Sequence, residues 1–198
     1  FHAMFHTMLR LAAAGTDISA HLPTLYALAI DHSSISVPIV ELGVRTGNST
    51  LALLAACAAT HSQLVSYDID SACPENVRRT AREHTHNWPA CDRAISKRWD
   101  FRALDSILAA DQWSSGGFVG MLFIDTIHEY ERTRDELAAW LPKLRRDAVI
   151  CGHDYPDASG GVKKAVDEFV SVHHELELIV LPHDYGLFVL LPRTEAAA

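Results

Sequence analysis

The chain has 198 residues, 48% of them hydrophobic, so it is long enough to bury a sizeable core in one domain. Its formal net charge is −8 and it contains no basic run, which argues against a nucleic-acid partner. It lacks the roughly 18 consecutive apolar residues of a membrane span, and its four cysteines show no CxxC spacing. We therefore expect one cytoplasmic domain over residues 1–198, with reduced thiols and no membrane partner.

Apolar residues recur at helical and at strand spacing in turn along the chain. The predicted helices are 4–14, 18–30, 51–59, 75–84, 102–110, 130–144 and 162–172. The predicted strands are 35–40, 64–69, 94–99, 118–124, 148–151, 176–181 and 186–191. This alternation predicts a doubly wound α/β fold, in which a mostly parallel sheet carries helices on both faces. The last two strands should add an antiparallel hairpin at the edge.

The segment VELGVRTGNST, residues 40–50, lies between a predicted buried strand and an Ala/Leu-rich helix. Gly43 and Gly47 lack Cβ atoms, so backbone amides at the start of the helix can approach a ligand closely. Glu41 adds a carboxylate that a phosphate site would not favour, and the Gly-Lys-Ser/Thr signature is absent. S-adenosylmethionine, with its ammonium group and its nucleoside, fits these features. The alternative is an ordinary strand-to-helix turn.

Five acidic residues stand at or just after the ends of different predicted strands: Glu41, Asp68, Asp100, Asp125 and Asp154. Ligands of such sheets bind beyond the carboxyl ends of the strands, so these side chains should share one rim. Asp68 can accept hydrogen bonds from the two ribose hydroxyls of a nucleoside, unless Asp70 faces the site in its place. Asp100 could accept from an adenine amino group or cap the helix that follows.

A second informative segment is LFIDTIHEY, residues 122–130, in which His128 follows Asp125 by three residues. Histidine is the natural general base near neutral pH. The next predicted strand runs into His153 and Asp154, so Asp125, His153 and Asp154 together could hold a divalent cation. Two carboxylates favour Mg²⁺ or Mn²⁺, and a histidine ligand shifts the preference towards a transition metal. A lone histidine is also compatible with an ordinary hydrogen-bonding role.

These segments, with SYDID, ICGHDY and GVKKAVDEF, make the chain from about Val37 to Leu191 resemble the class I S-adenosylmethionine-dependent methyltransferases. The nearest group includes macrocin O-methyltransferase and cephalosporin hydroxylase-like proteins. The resemblance implies a single Rossmann-like methyltransferase domain with a seven-stranded sheet and an antiparallel last strand. The helices within residues 1–34 would cover the sheet and the acceptor side of the site.

The resemblance also implies roles for individual residues. S-adenosylmethionine would be bound by Glu41, Gly43, Arg45, Gly47, Ser49 and Asp68. Asp125 would be a metal ligand beside Asp154 and His153, and His128 the base where catechol O-methyltransferase-like enzymes carry a lysine. Metal-dependent relatives show two acidic or amide residues after the fifth strand, and here the first of these is His153.

The reaction expected is methyl transfer from S-adenosylmethionine to a hydroxyl of a small-molecule acceptor. Asp125 and His128 would be catalytic, Mg²⁺ or Mn²⁺ would assist, and a homo-oligomer is left open. A non-catalytic nucleoside-binding module is an alternative, although the presence of both Asp125 and His128 argues against it. An NAD-dependent oxidoreductase is another, but GxGxxG requires glycines two and then three apart, whereas Gly43 and Gly47 are four apart.

Overall fold

The structure, a computed structural model, describes residues 2–114, 118–155 and 160–193. Its strands are β1 Ile39–Leu42, β2 Leu64–Asp68, β3 Trp99–Ala103, β4 Val119–Ile124, β5 Leu144–His153, β6 Leu176–Leu181 and β7 Leu187–Pro192. Its helices are α1 His2–Ala12, α2 Leu22–His32, α3 Asn48–Thr60, α4 Cys73–His84, α5 Trp88–Arg98, α6 Ser106–Asp111, α7 Tyr130–Trp140 and α8 Gly161–Val172. None of these helices combines the length and apolar character of a transmembrane segment.

Within the described ranges the strands form one seven-stranded sheet in the order β3-β2-β1-β4-β5-β7-β6. The strands from β3 to β5 in this order are parallel, whereas β7 is antiparallel to both of its neighbours. The doubly wound sheet with an antiparallel edge hairpin is therefore confirmed. From β1 the chain adds β2 and β3 towards one edge of the sheet, and from β4 it adds its later strands towards the other edge. A crevice therefore opens between β1 and β4, beyond the carboxyl ends of these two strands.

Successive side chains of each strand enter two different cores, because a strand has a period of two residues. Ile39 packs with α1 to α5 on one face of the sheet, whereas Val40 and Leu42 pack with α6 to α8 on the other. Every residue of the central strand β4 is buried. A strand covered on both faces must be apolar throughout, which is why β4 reads as an uninterrupted hydrophobic run.

The segment 94–99 was predicted as a strand, and this prediction is wrong because residues up to Arg98 belong to α5. The side chain of Asn87 caps the first turn of this helix, and Cys91 and Ile95, four residues apart, are buried along it. The helical period of these buried residues therefore decides the segment, in which only Ala94, Ile95 and Trp99 are apolar. As a result, the helix predicted at 102–110 begins later, at Ser106, the first residue of α6.

This shift changes the position of Asp100. Asp100 is the second residue of β3 and pairs with Val65, near the amino end of β2. Its carboxylate lies 2.7 Å from the guanidinium of Arg102. The prediction that Asp100 ends a strand is therefore wrong, and the structure does not bring its carboxylate to the crevice. The acidic residue that follows β3 at the crevice is Asp105.

Two strand boundaries also differ from prediction. The strand predicted at 35–40 begins at Ile39, the first residue of β1, because Ser34 and Val37 exchange backbone hydrogen bonds in a tight turn before it. That turn leaves Ile35 exposed. Strand β5 extends beyond the predicted 148–151 at both ends. Neither change moves the carboxyl ends of β1 or β5 away from the crevice.

Candidate active site

Two adjoining cavities lie at the carboxyl ends of the central strands. The larger, about 660 Å³, is called here the His128 cavity and is also lined by Asp154 and Tyr185. The smaller, about 410 Å³, is called here the Asp68 cavity and is also lined by Ile69. The glycine turn after β1, together with Asp125 and Thr126, lines both cavities. A single elongated ligand could therefore occupy both and cross the glycine turn at its middle.

The two glycines that were predicted to bind the cofactor, Gly43 and Gly47, have different structural roles. Gly43 has φ +89°, and a Cβ there would lie 1.9 Å from the backbone oxygen of Asp125. Only glycine can therefore occupy this position, where the backbone lines both cavities. Gly47 has φ +85° and packs against Val77, whose Cγ2 would lie 2.4 Å from an added Cβ. Gly47 lets α4 approach α3 closely, and the structure does not bring it to either cavity.

The carboxylate of Asp68 is fixed against the glycine turn. One oxygen accepts from the backbone N–H of Val44 at 2.8 Å and of Arg45 at 3.2 Å, and the other accepts from Asp70 N–H at 2.9 Å. Burial raises the pKa of Asp68, but these backbone hydrogen bonds outweigh burial and hold that pKa below its usual range. Asp68 lines the cavity, whereas the side chain of Asp70 turns back to accept from Ala72 N–H.

Glu41 was predicted to bind the cofactor, but its side chain is completely buried and lines neither cavity. Its carboxylate accepts hydrogen bonds from the hydroxyls of Ser49 at 2.7 Å, Thr50 at 2.9 Å and Ser66 at 2.6 Å. Burial raises the pKa of Glu41 to about 7 in spite of these donors. Glu41 therefore ties the start of α3 to β1 and β2. Ser49 lines the His128 cavity, but its hydroxyl hydrogen is directed at Glu41.

We expect Glu41→Gln to flatten the pH dependence of the free energy of unfolding between about pH 4.5 and 7. The pKa of Glu41 rises from 4.5 to about 7 on folding, so within this window the folded state keeps a proton that the unfolded state loses. Wild-type stability should fall as pH rises through the window, by up to about 3 kcal/mol. Urea unfolding at pH 5 and at pH 8 measures how much the free energy of unfolding changes between the two pH values. An equal change in the wild type and in Glu41→Gln would contradict the prediction.

Asp125, His128 and Asp154 meet at the ends of β4 and β5. The Nε2 atom of His128 lies 2.8 Å from Asp154 Oδ2 and 3.9 Å from Asp125 Oδ1. One ligand atom from each of the three lies within 4.8 Å of the others, a spacing that a metal ion can bridge. Burial raises the pKa of Asp125 to about 6, and the charge of Asp154 adds to the increase while the neighbouring histidines oppose it. Asp154 has φ +63°, so the local backbone is strained.

His153 was predicted as a metal ligand, and the structure places it beside this cluster rather than in it. Its Nε2 donates to the backbone oxygen of Asp184 at 2.7 Å, and its Nδ1 lies 2.9 Å from Asp154 Oδ2. Burial lowers the pKa of His153, but the hydrogen bond to Asp154 and the charge of Asp125 outweigh burial and raise it. With Nε2 donating to a backbone oxygen, only Nδ1 could offer a lone pair to an ion, and that atom faces Asp154, so metal binding by His153 stays a prediction.

Arg45 was predicted to bind the cofactor, and its backbone and its side chain make separate contacts. Its backbone has φ +51° and donates N–H to Asp68. Its guanidinium is 82% exposed and lies 3.0 Å from the carboxylate of Asp17, across the mouth of the His128 cavity. This ion pair joins the glycine turn to the N-terminal segment. Arg45 therefore lines the cavity with its charge already paired.

The Asp68 cavity also contains a polar network that the sequence analysis missed. Arg132 donates to Asp105 at 2.6 Å and to buried Glu136 at 3.0 Å. Glu136 accepts further hydrogen bonds from Ser106 at 2.5 Å and Thr126 at 2.9 Å, and burial raises its pKa. The available signal was the i,i+4 spacing of Arg132 and Glu136, with Glu136 in helical phase with the buried residues of α7. These hydrogen bonds hold the start of α6, Thr126 and helix α7 together around this cavity.

Comparisons with known proteins agree with this fold. A family model described as a methyltransferase domain matches residues 40–155, which is more than half of the chain. No curated protein matches the chain. Among solved structures, the SAH-bound methyltransferase PaMTH1 of Podospora anserina is similar, at 12% identity and a TM-score of 0.65 over 97% of this chain and 88% of that chain.

Two further structures have the same fold. Cofactor-bound Rv0187 from MTB has 16% identity and a TM-score of 0.68, with 98% of this chain and 89% of that chain covered. CalS11, a TDP-rhamnose 3′-O-methyltransferase of calicheamicin biosynthesis, has 17% identity and a TM-score of 0.62, with 87% of this chain and 77% of that chain covered. Identities this low establish a common fold and do not establish a common substrate.

Proposed function

Because the chain belongs to the methyltransferase-domain family, we propose that this S-adenosylmethionine-dependent methyltransferase acts on a hydroxyl of a small-molecule acceptor. The observation that carries the O-methyl assignment is the pair of His128 and Asp154, 2.8 Å apart in the cavity next to the glycine turn. A hydroxyl must lose its proton to attack a methyl group, and a carboxylate-paired imidazole is suited to accept one. The IDTIHEY and GHDY motifs favour the macrocin O-methyltransferase and cephalosporin hydroxylase-like group.

We assign the adenosine half of the cofactor to the Asp68 cavity. An ionised carboxylate offers about four acceptor positions, and backbone N–H groups use three of those of Asp68. The Cys73 thiol also approaches Asp68, but a thiol is a weak donor, so a ribose hydroxyl can take the remaining position in its place. Ile69 and Ile127, which are 81% and 55% exposed, line the cavity and offer apolar surface to a purine. The methionine half would then cross Gly43 towards Asp125.

We assign the acceptor to the His128 cavity. A neutral His128 that donates Nε2–H to Asp154 carries its lone pair on Nδ1, and this atom would receive the acceptor proton. Burial raises the pKa of Asp154, yet its hydrogen bond with His153 and the nearby positive charges hold that pKa below its usual range. Ionised Asp154 would therefore stabilise the imidazolium as it forms. The acceptor oxygen attacks the sulfonium methyl in line, and a neutral thioether leaves.

We further propose that Asp125 and Asp154 hold a divalent cation. Their carboxylates and His128 fit an ion because one atom from each lies within 4.8 Å of the others. Two carboxylates with an open side are sufficient for Mg²⁺ or Mn²⁺. We assign His128 as the base rather than as a third ligand, since its Nε2 lies 2.8 Å from Asp154 Oδ2, within reach of an N–H donated to that carboxylate. A bound ion would act as a Lewis acid that lowers the pKa of the acceptor hydroxyl.

Chelation followed by metal add-back tests this site. We expect exhaustive chelation to reduce methyl transfer and added Mg²⁺ or Mn²⁺ to restore it. Mn²⁺ binding, measured by electron paramagnetic resonance of the free ion, should be lost in Asp125→Asn and kept in His128→Ala. Undiminished methyl transfer in chelator, with no Mn²⁺ bound by the wild type, would remove the ion from the mechanism. Loss of Mn²⁺ binding in His128→Ala would make His128 a ligand.

The proposed activity can be tested without knowing the acceptor. The protein is incubated with methyl-labelled S-adenosylmethionine and with polyol, phenolic and sugar fractions, and label in new products is measured. We expect alkali-stable ether products from at least one fraction, formed by the wild type and not by His128→Ala. Binding of the cofactor without transfer to any fraction would favour the alternative, a non-catalytic binding module on this fold.

A further inference from the structure

The turn between β6 and β7, residues 183–186, forms one wall of the His128 cavity through Tyr185. We propose that Tyr185 determines acceptor specificity by packing on a ring, so that the acceptor is a molecule whose hydroxyl stands on a ring. This inference rests on the proposed function, because it requires the acceptor to occupy the His128 cavity.

The backbone of this turn is strained at the tyrosine. Asp184, Tyr185 and Gly186 have φ of +44°, +63° and +84°. Positive φ is easy for glycine, tolerated by aspartate and unfavourable for a bulky residue such as tyrosine. Strain of this kind persists where the surrounding structure enforces it, and it concentrates at functional sites. A tyrosine at a position that suits glycine indicates that its side chain is needed there.

Three hydrogen bonds enforce the conformation of the turn. The Nε2 atom of His21 donates to the backbone oxygen of His183 at 2.5 Å, and Nε2 of His153 donates to that of Asp184 at 2.7 Å. The carboxylate of Asp184 accepts from Ala20 N–H at 2.7 Å. Both histidines that donate are buried, at 2% and 5% exposure. The turn is therefore tied both to the N-terminal segment and to the end of β5.

The ring of Tyr185 remains largely uncovered in spite of this fixed backbone. The residue is 66% exposed, and its ring centroid lies 6.5 Å from that of His153 in an edge arrangement. Ile18, from the N-terminal segment, lines the same cavity. An aromatic face and an aliphatic side chain in one cavity favour a flat or ring-shaped ligand over a flexible chain, because a rigid ring covers apolar surface at little entropic cost.

Ligand-observed NMR on the full chain saturated with S-adenosylhomocysteine tests the proposal. The ring probes are catechol and methyl glucopyranoside, and sorbitol is the acyclic probe. We expect the wild type to bind at least one ring probe more tightly than sorbitol. Tyr185→Gly should weaken ring-probe binding by about tenfold or more, and Tyr185→Phe by less than about twofold.

Tyr185→Gly also separates specificity from structure, because glycine accepts the positive φ and should leave the protein at least as stable. Equal ring-probe binding by the wild type and Tyr185→Gly would overturn the proposal, as would a wild type that binds S-adenosylhomocysteine but no ring probe. A midpoint of thermal unfolding that falls in Tyr185→Gly would assign the tyrosine a structural role. Failure to bind S-adenosylhomocysteine at all would overturn the proposed function, and this inference with it.

Discussion

Replacing Asp68 by alanine is expected to weaken S-adenosylmethionine binding by about 2 kcal/mol or more, roughly thirtyfold in the dissociation constant. The change removes the acceptor proposed for the ribose. It also releases the backbone N–H groups of Val44 and Arg45, which the carboxylate holds at 2.8 Å and 3.2 Å. The glycine turn that lines both cavities would lose its anchor. Isothermal titration calorimetry measures the effect directly.

Asp70→Ala is the matched control for this prediction. Asp70 is two residues away and also acidic, but its carboxylate accepts from Ala72 N–H and lines neither cavity. Its removal should change cofactor affinity by less than about threefold, which is a local turn effect of the order of half a kcal/mol. Unchanged affinity in Asp68→Ala together with lost affinity in Asp70→Ala would contradict the assignment.

Replacing His128 by alanine is expected to lower turnover by about 10²-fold or more while leaving cofactor affinity nearly intact. The imidazole lies in the His128 cavity and is oriented by Asp154 at 2.8 Å. Its removal takes away the proposed proton acceptor and leaves the Asp68 cavity unchanged. Single-turnover methyl transfer with saturating cofactor, compared with calorimetric affinity for the cofactor, separates the two effects.

A distant histidine provides the control for His128. His32 hydrogen-bonds the backbone oxygen of Asp147 and lines neither cavity, so His32→Ala should leave turnover unchanged. An equal loss of binding and rate in His128→Ala would indicate a structural role. Full activity in that variant would remove His128 from the mechanism and leave proton removal to another group.

Much of the fold could be predicted because the apolar periods along this chain are clear. Strand β4 reads as a continuous hydrophobic run that ends at Asp125, so both its burial and its terminal acid were predictable. The structure of segment 94–99 was not predictable in this way, because its few apolar residues, Ala94, Ile95 and Trp99, fit either a helix or a strand. The capping role of Asn87, four positions before Cys91, was the available helix signal.

The roles of individual site residues were harder to predict because they depend on contacts distant in the chain. All four residues of β1 are buried, so no polar alternation indicated that Glu41 turns away from the cavities. Whether His128 or His153 joins Asp125 and Asp154 depends on a backbone oxygen of the β6–β7 turn, which accepts from His153. Neither fact is encoded in the local sequence.

The most direct test of the central claim, that the two cavities form an S-adenosylmethionine site, is a parallel calorimetric titration with S-adenosylmethionine and with NAD. Both ligands contain an adenosine that a ribose-binding carboxylate could accept, but Gly43 and Gly47 lack the dinucleotide spacing. We predict saturable one-to-one binding of S-adenosylmethionine, weakened in Asp68→Ala, and no binding of NAD. Saturable binding of NAD by a protein that gives no heat with S-adenosylmethionine would contradict the claim.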